Sequence, residues 1–197
     1  MRKIFLASES PRRVELLTRS GIPFIKIPRE RITEEPPFDS KCPEKYAIEL
    51  AKSKALSAIC EEKGLILGCD TIVVYNGLLM EKPRNPEEAI EFLTMLQDNK
   101  HTVFTGLAIL DNSTGHIEST FEATDVLFSK LTPEEINAYV DTRESLDKAG
   151  AYGIQEKGAF FIKEIHGDYF NVVGLPLFRL TVLLEKFNIS RLCVISY

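Results

Sequence analysis

Residues 65–80, LILGCDTIVVYNGLLM, decide the fold. From Leu65 to Tyr75 the chain is too apolar and β-branched to be anything but a central strand, and Asn76-Gly77 is the dipeptide that turns a hairpin into Leu78 to Lys82. One residue breaks the pattern. Asp70 stands in the middle of the apolar run, and a carboxylate there is costly unless it is paired or holds a metal ion. Either it ends at a functional site or it is buried against an arginine.

Outward from this strand, helices and hairpins are mixed. Toward the N-terminus, Ala47, Leu50, Ala51, Ala55, Ala58 and Ile59 recur at helical spacing between Pro43 and Lys63, with Gly64 as the stop. Before them come a strand at Phe24 to Pro28 and a proline-rich acidic loop, Thr33-Glu34-Glu35-Pro36-Pro37. Lys3 to Ser8 reads as a buried strand, and Ser10-Pro11 opens a helix with a capping serine and a proline at its first position, ending near Gly21. Toward the C-terminus, Asn85-Pro86-Glu87-Glu88 and Thr132-Pro133-Glu134-Glu135 read as capping boxes. His101 to Leu131 reads as strands with a hairpin at Asn112 to Gly115. Gly158 to Ile165 and Tyr169 to Val173 are strand-like, and Leu175 to Phe187 closes the chain as a helix. Hairpins among helices imply a mixed α/β protein rather than a uniform βαβ array. Without repeat or linker, the 197 residues are expected to form a single domain, 1–197, or two lobes on one sheet.

Composition narrows function. Hydrophobic residues make up 44% and charged residues 27%, ordinary for a globular protein. A net charge of -5 argues against broad nucleic-acid binding. No apolar run approaches the roughly 20 residues that span a bilayer, so no membrane partner and a cytoplasmic location are expected. Cys42, Cys60, Cys69 and Cys193 form no CxxC pair, and His101, His116 and His166 fit no zinc motif.

The anomalies are cationic. In Ser8-Glu9-Ser10-Pro11-Arg12-Arg13 two arginines occupy the first turn of a helix, where the macrodipole favours acidic residues. They make sense if that end holds an anion, bound by free backbone N–H groups and guanidinium forks. Otherwise they face solvent or pair with Glu9 and Glu15. Lys54 and Lys52 both sit beside the apolar stripe of the 43–63 helix, and spacing does not choose between them. Lys82 closes the hairpin. Asp147 to Gln155, DKAGAYGIQ, lets backbone approach a ligand closely and ends in an amide able to read a base edge, or it is a plain turn. No GxxxxGK[ST] is present to hold phosphate.

Together these segments resemble the Maf (septum formation) family: residues 6–13 with Glu15-Leu16-Leu17, AKSKA at 51–55, GCDTIV at 68–73, Glu81-Lys82-Pro83, Thr105-Gly106, DKAGAYGIQ at 147–155 and NVVGLPL at 171–177, in order over nearly the whole chain. The resemblance implies an elongated mixed sheet with two lobes and a central cleft, similar to inosine triphosphate pyrophosphatases, in a homodimer. It implies hydrolysis of a nucleoside triphosphate between the α and β phosphates with Mg²⁺ or Mn²⁺. Carried over by motif, Asp70 is the catalytic acid/base and a metal ligand, Glu35 its metal partner, and Ser8, Arg13, Lys54 and Lys82 handle phosphate; Lys54 is preferred to Lys52 as the lysine of AxxKA. Arg12, Thr71 and Gln155 match the dTTP/UTP branch rather than the one favouring 7-methyl-GTP. Two departures, Thr142-Arg143-Glu144-Ser145 for Gly-Glu-Pro and Glu156-Lys157 after the glutamine, bear on fine substrate preference. A non-hydrolysing sensor in septation is the other reading of the same motifs.

Overall fold

A computed structural model of the chain describes residues 2–30 and 35–191. Glu34, Cys193 and the tail from Leu192 to Tyr197 lie outside the described residues. The elements run β1 (Ile4–Leu6), α1 (Pro11–Arg19), β2 (Ile25–Lys26), α2 (Pro43–Leu56), β3 (Leu65–Tyr75), β4 (Leu78–Met80), α3 (Pro86–Leu96), β5 (Lys100–Asp111), β6 (Ile117–Phe128), α4 (Pro133–Asp141), β7 (Ile162–His166), α5 (Tyr169–Val173) and α6 (Leu177–Glu185). They form one mixed sheet in the order β2-β1-β3-β5-β6-β7, with β4 added to β3. β1 is parallel to both β2 and β3, and every other pairing is antiparallel.

The long strands β3, β5 and β6 carry two hydrophobic cores along their length. One packs Leu65, Leu67 and Cys69 against α1 and α6. The other gathers Val73, Met80, Val103 and Phe128 with α3 and α4. On the opposite face of the sheet, α2 covers Ile66, Ala108 and Ile72. This is the expected mixed α/β architecture, with two lobes on a shared sheet.

The seat of α2 is unusually close. Gly68 and Gly106 face it, and a Cβ on either would lie 2.2 Å from the Ala51 carbonyl oxygen or 2.1 Å from that of Ala47. Ala47, Ala51 and Ala55 are fully buried on the helix side. Small residues on both surfaces bring backbone against backbone, and the helix axis is fixed to within a methyl group.

Several local expectations are corrected. Tyr169 to Val173 is helix α5 rather than a strand: the Asp168 carboxylate accepts from the Phe170 amide, and Gly174 at φ 115 stops it. A five-residue apolar run does not declare its own period. Residues Lys157–Phe161 are 3₁₀-helical, and only Ile162–His166 is extended. β2 is two residues long, and α2 stops at Leu56, where Ser57 and Ala58 turn to pair with residues 28–30 after β2. Ser10 makes no side-chain cap; the Ser8 hydroxyl accepts its amide instead. Thr132 and Glu135 form the full capping box, whereas Asn85 forms half of one, because the Glu88 carboxylate turns to Arg84.

Gly106→Ala should therefore cost about 1 to 3 kcal/mol, the usual range for overpacking a filled core. Urea unfolding measures it. A midpoint equal to that of the natural sequence would mean that α2 lifts from the sheet without cost.

Candidate active site

The site arises from a break in the edge of β3. Along one side β3 is paired continuously to β5 from Leu65 to Val74. Along the other, β1 covers Leu65–Leu67 and β4 covers Val73–Tyr75, leaving residues 68–72 without a neighbouring strand. A cleft of about 550 Å³ opens there. Because side chains alternate along a strand, Asp70 projects from this gap toward α2 and Thr71 toward α1.

On the α2 side Lys54 forms an ion pair with Asp70, their side chains 18% and 16% exposed. Burial, helped by the nearby Arg13 guanidinium, lowers the Lys54 pKa, and the Asp70 charge opposes that shift. Lys52 instead pairs at the surface with Glu49, 2.8 Å away. The structure thus separates two lysines that spacing could not.

On the α1 side Arg13 is 8% exposed and neither faces solvent nor pairs with an acidic neighbour. Its Nε donates to the Gly174 carbonyl at 2.9 Å, Nη1 to Ser8 Oγ at 3.2 Å and Nη2 to Thr71 Oγ1 at 3.0 Å. The Thr105 hydroxyl donates to the Asn171 carbonyl at 3.1 Å, so Thr71 must donate to Thr105 at 3.0 Å while accepting from Arg13. Three of the five guanidinium donors are thereby committed. The Gly174 carbonyl also accepts from Cys69, whose thiol burial pushes up in pKa. Ser8 is buried and supports Arg13 rather than lining the cleft. Arg12 lines it and reaches Asp147 only loosely, at 3.9 Å.

The far wall is the 147–155 loop. Gly150, at φ 69, turns it so that its amide donates to the Glu81 carbonyl at 3.2 Å. Lys148, 5% exposed, straps the loop from within: its ammonium meets the Glu144 carbonyl at 2.7 Å, Asp147 at 2.8 Å and Glu156 at 3.1 Å. Gln155 and Lys82 complete this wall. Beneath it Tyr152 shares a 2.8 Å hydrogen bond with His101 Nε2, and both rings pack edge-on with Phe128. His101 Nδ1 is buried without a partner. An orphaned buried N–H is rarer than an unused lone pair, which assigns the proton to Nε2, donating to Tyr152.

Asp70, Lys54, Thr71, Arg12, Arg13, Lys82, Gln155 and Glu35 therefore meet in one cleft, and Ser8 stands behind it. Six cationic and five carboxylate side chains line the cleft, a positive balance in a chain of net charge -5. Sequence reasoning missed Arg29, Tyr46, Glu81 and Lys148, all of which line it. Glu81 and Lys148 lie within Glu81-Lys82-Pro83 and DKAGAYGIQ; nothing local marks Arg29 or Tyr46. The Tyr46 hydroxyl donates to Glu35 at 3.1 Å, and its ring meets Phe38 edge-on, fastening the acidic loop to α2. Burial and the charges of Glu35, Glu81 and Asp70 push the Tyr46 hydroxyl up in pKa. No group of three metal-ligating side chains is clustered among the described residues. Mg²⁺ commonly binds through one or two carboxylates plus substrate phosphates, and Asp70, Glu35 and Glu81 suit an ion that arrives with a polyphosphate.

The family described as Maf-like protein matches residues 3–187. The dTTP/UTP pyrophosphatase of Bacillus cereus (strain AH820) is 47% identical over 192 residues, covering 96% of this chain and 98% of that protein. The dTTP/UTP pyrophosphatase of Alkaliphilus oremlandii (strain OhILAs) is 45% identical over 195 residues, covering 98% and 100%. Among solved structures, the Staphylococcus aureus Ham1 protein aligns with a TM-score of 0.53 over 94% of this chain and all of its own, at 15% identity, a likeness of fold alone.

The floor of the cleft gives a pH signature. Burial lowers the His101 pKa from 6.5 to about 4. The unfolded chain takes up this proton at the higher pH, so stability present above pH 6.5 is lost as the pH falls toward 4. His101→Phe should flatten that part of the pH dependence in urea unfolding; a slope identical to that of the natural sequence would show that His101 is not the group responsible.

Proposed function

The chain belongs to the Maf-like protein family, and from that premise we propose that it is a nucleoside triphosphate pyrophosphatase acting on dTTP and UTP. The observation that carries this reading is the convergence of Asp70 and Lys54 from one face of the sheet, and Arg13 from the other, at the open edge of β3. Relatives named dTTP/UTP pyrophosphatase, matched over nearly their full length, support the substrate.

In the reaction, a water oxygen bonds to the α phosphorus while the bond from that phosphorus to the α–β bridging oxygen breaks. The bridging oxygen keeps the electron pair and leaves with pyrophosphate. Asp70 takes the proton of the water as it attacks. Lys54 holds the Asp70 carboxylate in the ligand-free protein; phosphate oxygens compete for its ammonium, releasing the carboxylate to act as base. Arg13, fixed by three acceptors, turns its remaining donors toward the developing charge without reorganising. Arg12 and Lys82 add charge at the rim, and Gln155 reads the pyrimidine edge from the loop wall. A divalent cation, Mg²⁺ or Mn²⁺, held by Asp70 and Glu35 together with the phosphates, would supply Lewis-acid stabilisation of phosphate oxygens. A homodimer in the cytoplasm, with no nucleic-acid or membrane partner, belongs to the same proposal; no helix among the described residues is long and apolar enough to cross a membrane.

Asp70→Asn should lower turnover of dTTP by at least about 10² to 10⁴-fold, the contribution of a positioned base, while the thermal midpoint stays near that of the natural sequence. Near-native hydrolysis by this variant would remove Asp70 from the chemistry. Pyrophosphate release from dTTP, UTP, CTP, GTP and 7-methyl-GTP with Mn²⁺, side by side, should favour the first two. A preference for a guanine nucleotide would overturn the pyrimidine assignment, and tight binding without product would favour a sensor.

A further inference from the structure

Arg29 lies in the cleft but in none of the motifs that define it. Its position is built by backbone. The Ile59 amide donates to the Pro28 carbonyl at 3.0 Å, the Glu30 amide donates to the Ser57 carbonyl at 2.8 Å, and Arg29 and Ala58 form an antiparallel bridge. These contacts pin the chain after β2 to the end of α2. Its side chain, by contrast, is underused. Among the described residues its one hydrogen bond runs from Nη1 to the carbonyl of its own neighbour Glu30, at 3.3 Å, and its Nε is buried with no acceptor. A buried charged donor without a partner is costly, and the cleft's other guanidinium groups do have acceptors.

The site has a direction that tells what the missing acceptor is. Tyr46, Leu50 and Lys54 recur every four residues, so they form one stripe along α2, each about one turn, 5.4 Å, from the next, and Ala58 follows just past the end of the helix at Leu56. At the Tyr46 end the stripe faces Glu81, to whose carbonyl the 147–155 loop is tied. That tie joins this end to the loop that bears Gln155. Lys54 and Asp70 come next, and Arg29 is bridged to Ala58 just past the C-terminal end of α2, the opposite end from Tyr46. A nucleoside triphosphate with its base at the loop and its α phosphate at Asp70 extends its β and γ phosphates toward Arg29.

Resting on the pyrophosphatase reading above, we propose that Arg29 binds the leaving pyrophosphate, with its guanidinium fork on the β and γ phosphate oxygens. The test titrates inorganic pyrophosphate and dTMP separately into the full chain and its R29Q variant, by calorimetry in one Mn²⁺ buffer. R29Q should weaken pyrophosphate by about tenfold or more, the order expected for losing a charge-assisted hydrogen bond, and leave dTMP within about twofold. Unchanged pyrophosphate affinity, or an equal loss for both ligands, overturns the assignment. Should R29Q fail to fold, R29K decides: it lacks the fork, and pyrophosphate binding equal to that of the natural sequence overturns the proposal. The pyrophosphatase reading fails separately, if the natural sequence releases no pyrophosphate from any triphosphate; the titration still judges Arg29.

Discussion

The site depends on a helix lying directly on bare backbone. Gly68 and Gly106 have no side chains to hold α2 away, and the alanines of α2 answer them from above. The close seat carries Lys54 down to the level of the sheet, where it meets Asp70 two residues beyond Gly68 and directly opposite Gly106 in the register. With larger residues at either glycine the helix would ride higher and the ion pair would have to span the added distance. The same packing that stabilises the fold therefore sets the geometry of the Lys54–Asp70 pair. Only dispersion and burial are needed to do it.

A second consequence follows from where the sheet is incomplete. A strand edge left open is usually a liability, yet between β1 and β4 it exposes both faces of β3 to one cavity. Groups that alternate to opposite sides can then act on one ligand. Asp70 brings α2 into the site, and Thr71 brings α1 through Arg13. The cations are organised before any anion arrives: Arg13 is held by Ser8, Thr71 and Gly174, and Lys54 by Asp70. Each arrangement avoids an unpaired buried charge in the empty cleft. The two differ in what a phosphate must displace. Arg13 has three protein partners and donors to spare, whereas in the proposed reaction Lys54 would divide itself between Asp70 and the ligand, which would couple binding to release of the carboxylate.

How far the sequence reveals this varies with the range of the interactions. Asp70 was legible because a carboxylate in an apolar strand contradicts its surroundings, and the structure gives that contradiction a partner. The arginine pair was legible as an anomaly, although Arg13 answers it mostly with neutral oxygens. Lys54 and Lys52 were not separable by spacing, since both flank the apolar stripe and only the depth of α2 in its seat distinguishes them. Tyr169 to Val173 reads as a strand because its helix is fixed by one aspartate cap and one left-handed glycine rather than by periodicity. Arg29 and Tyr46 were invisible for a different reason. Arg29 is placed by hydrogen bonds to residues almost thirty positions away, and Tyr46 by an aromatic contact and a hydrogen bond across a loop. No local pattern encodes either.

The two departures from the family pattern gain a physical meaning from the same structure. Glu144 and Glu156 stand at the altered stretches, and both converge on Lys148, one through its backbone carbonyl and the other through its carboxylate. The Glu144 carboxylate meanwhile accepts from Tyr139 and from the Gly158 amide. A Cβ at Gly153 would lie 2.6 Å from the Lys148 Cε, so a larger residue there would shift the lysine against its three oxygen partners. The loop that presents Gln155 is thus clamped from behind within the two altered stretches, by the backbone carbonyl of Glu144 and the carboxylate of Glu156, while the loop's own sequence is retained. Such changes leave the groups at Asp70 untouched and act on the stiffness of the wall that carries Gln155. A wall held by a buried lysine with three oxygen partners has little freedom to adapt, so in the proposed reaction a rigid surface would support Gln155 in selecting the nucleobase.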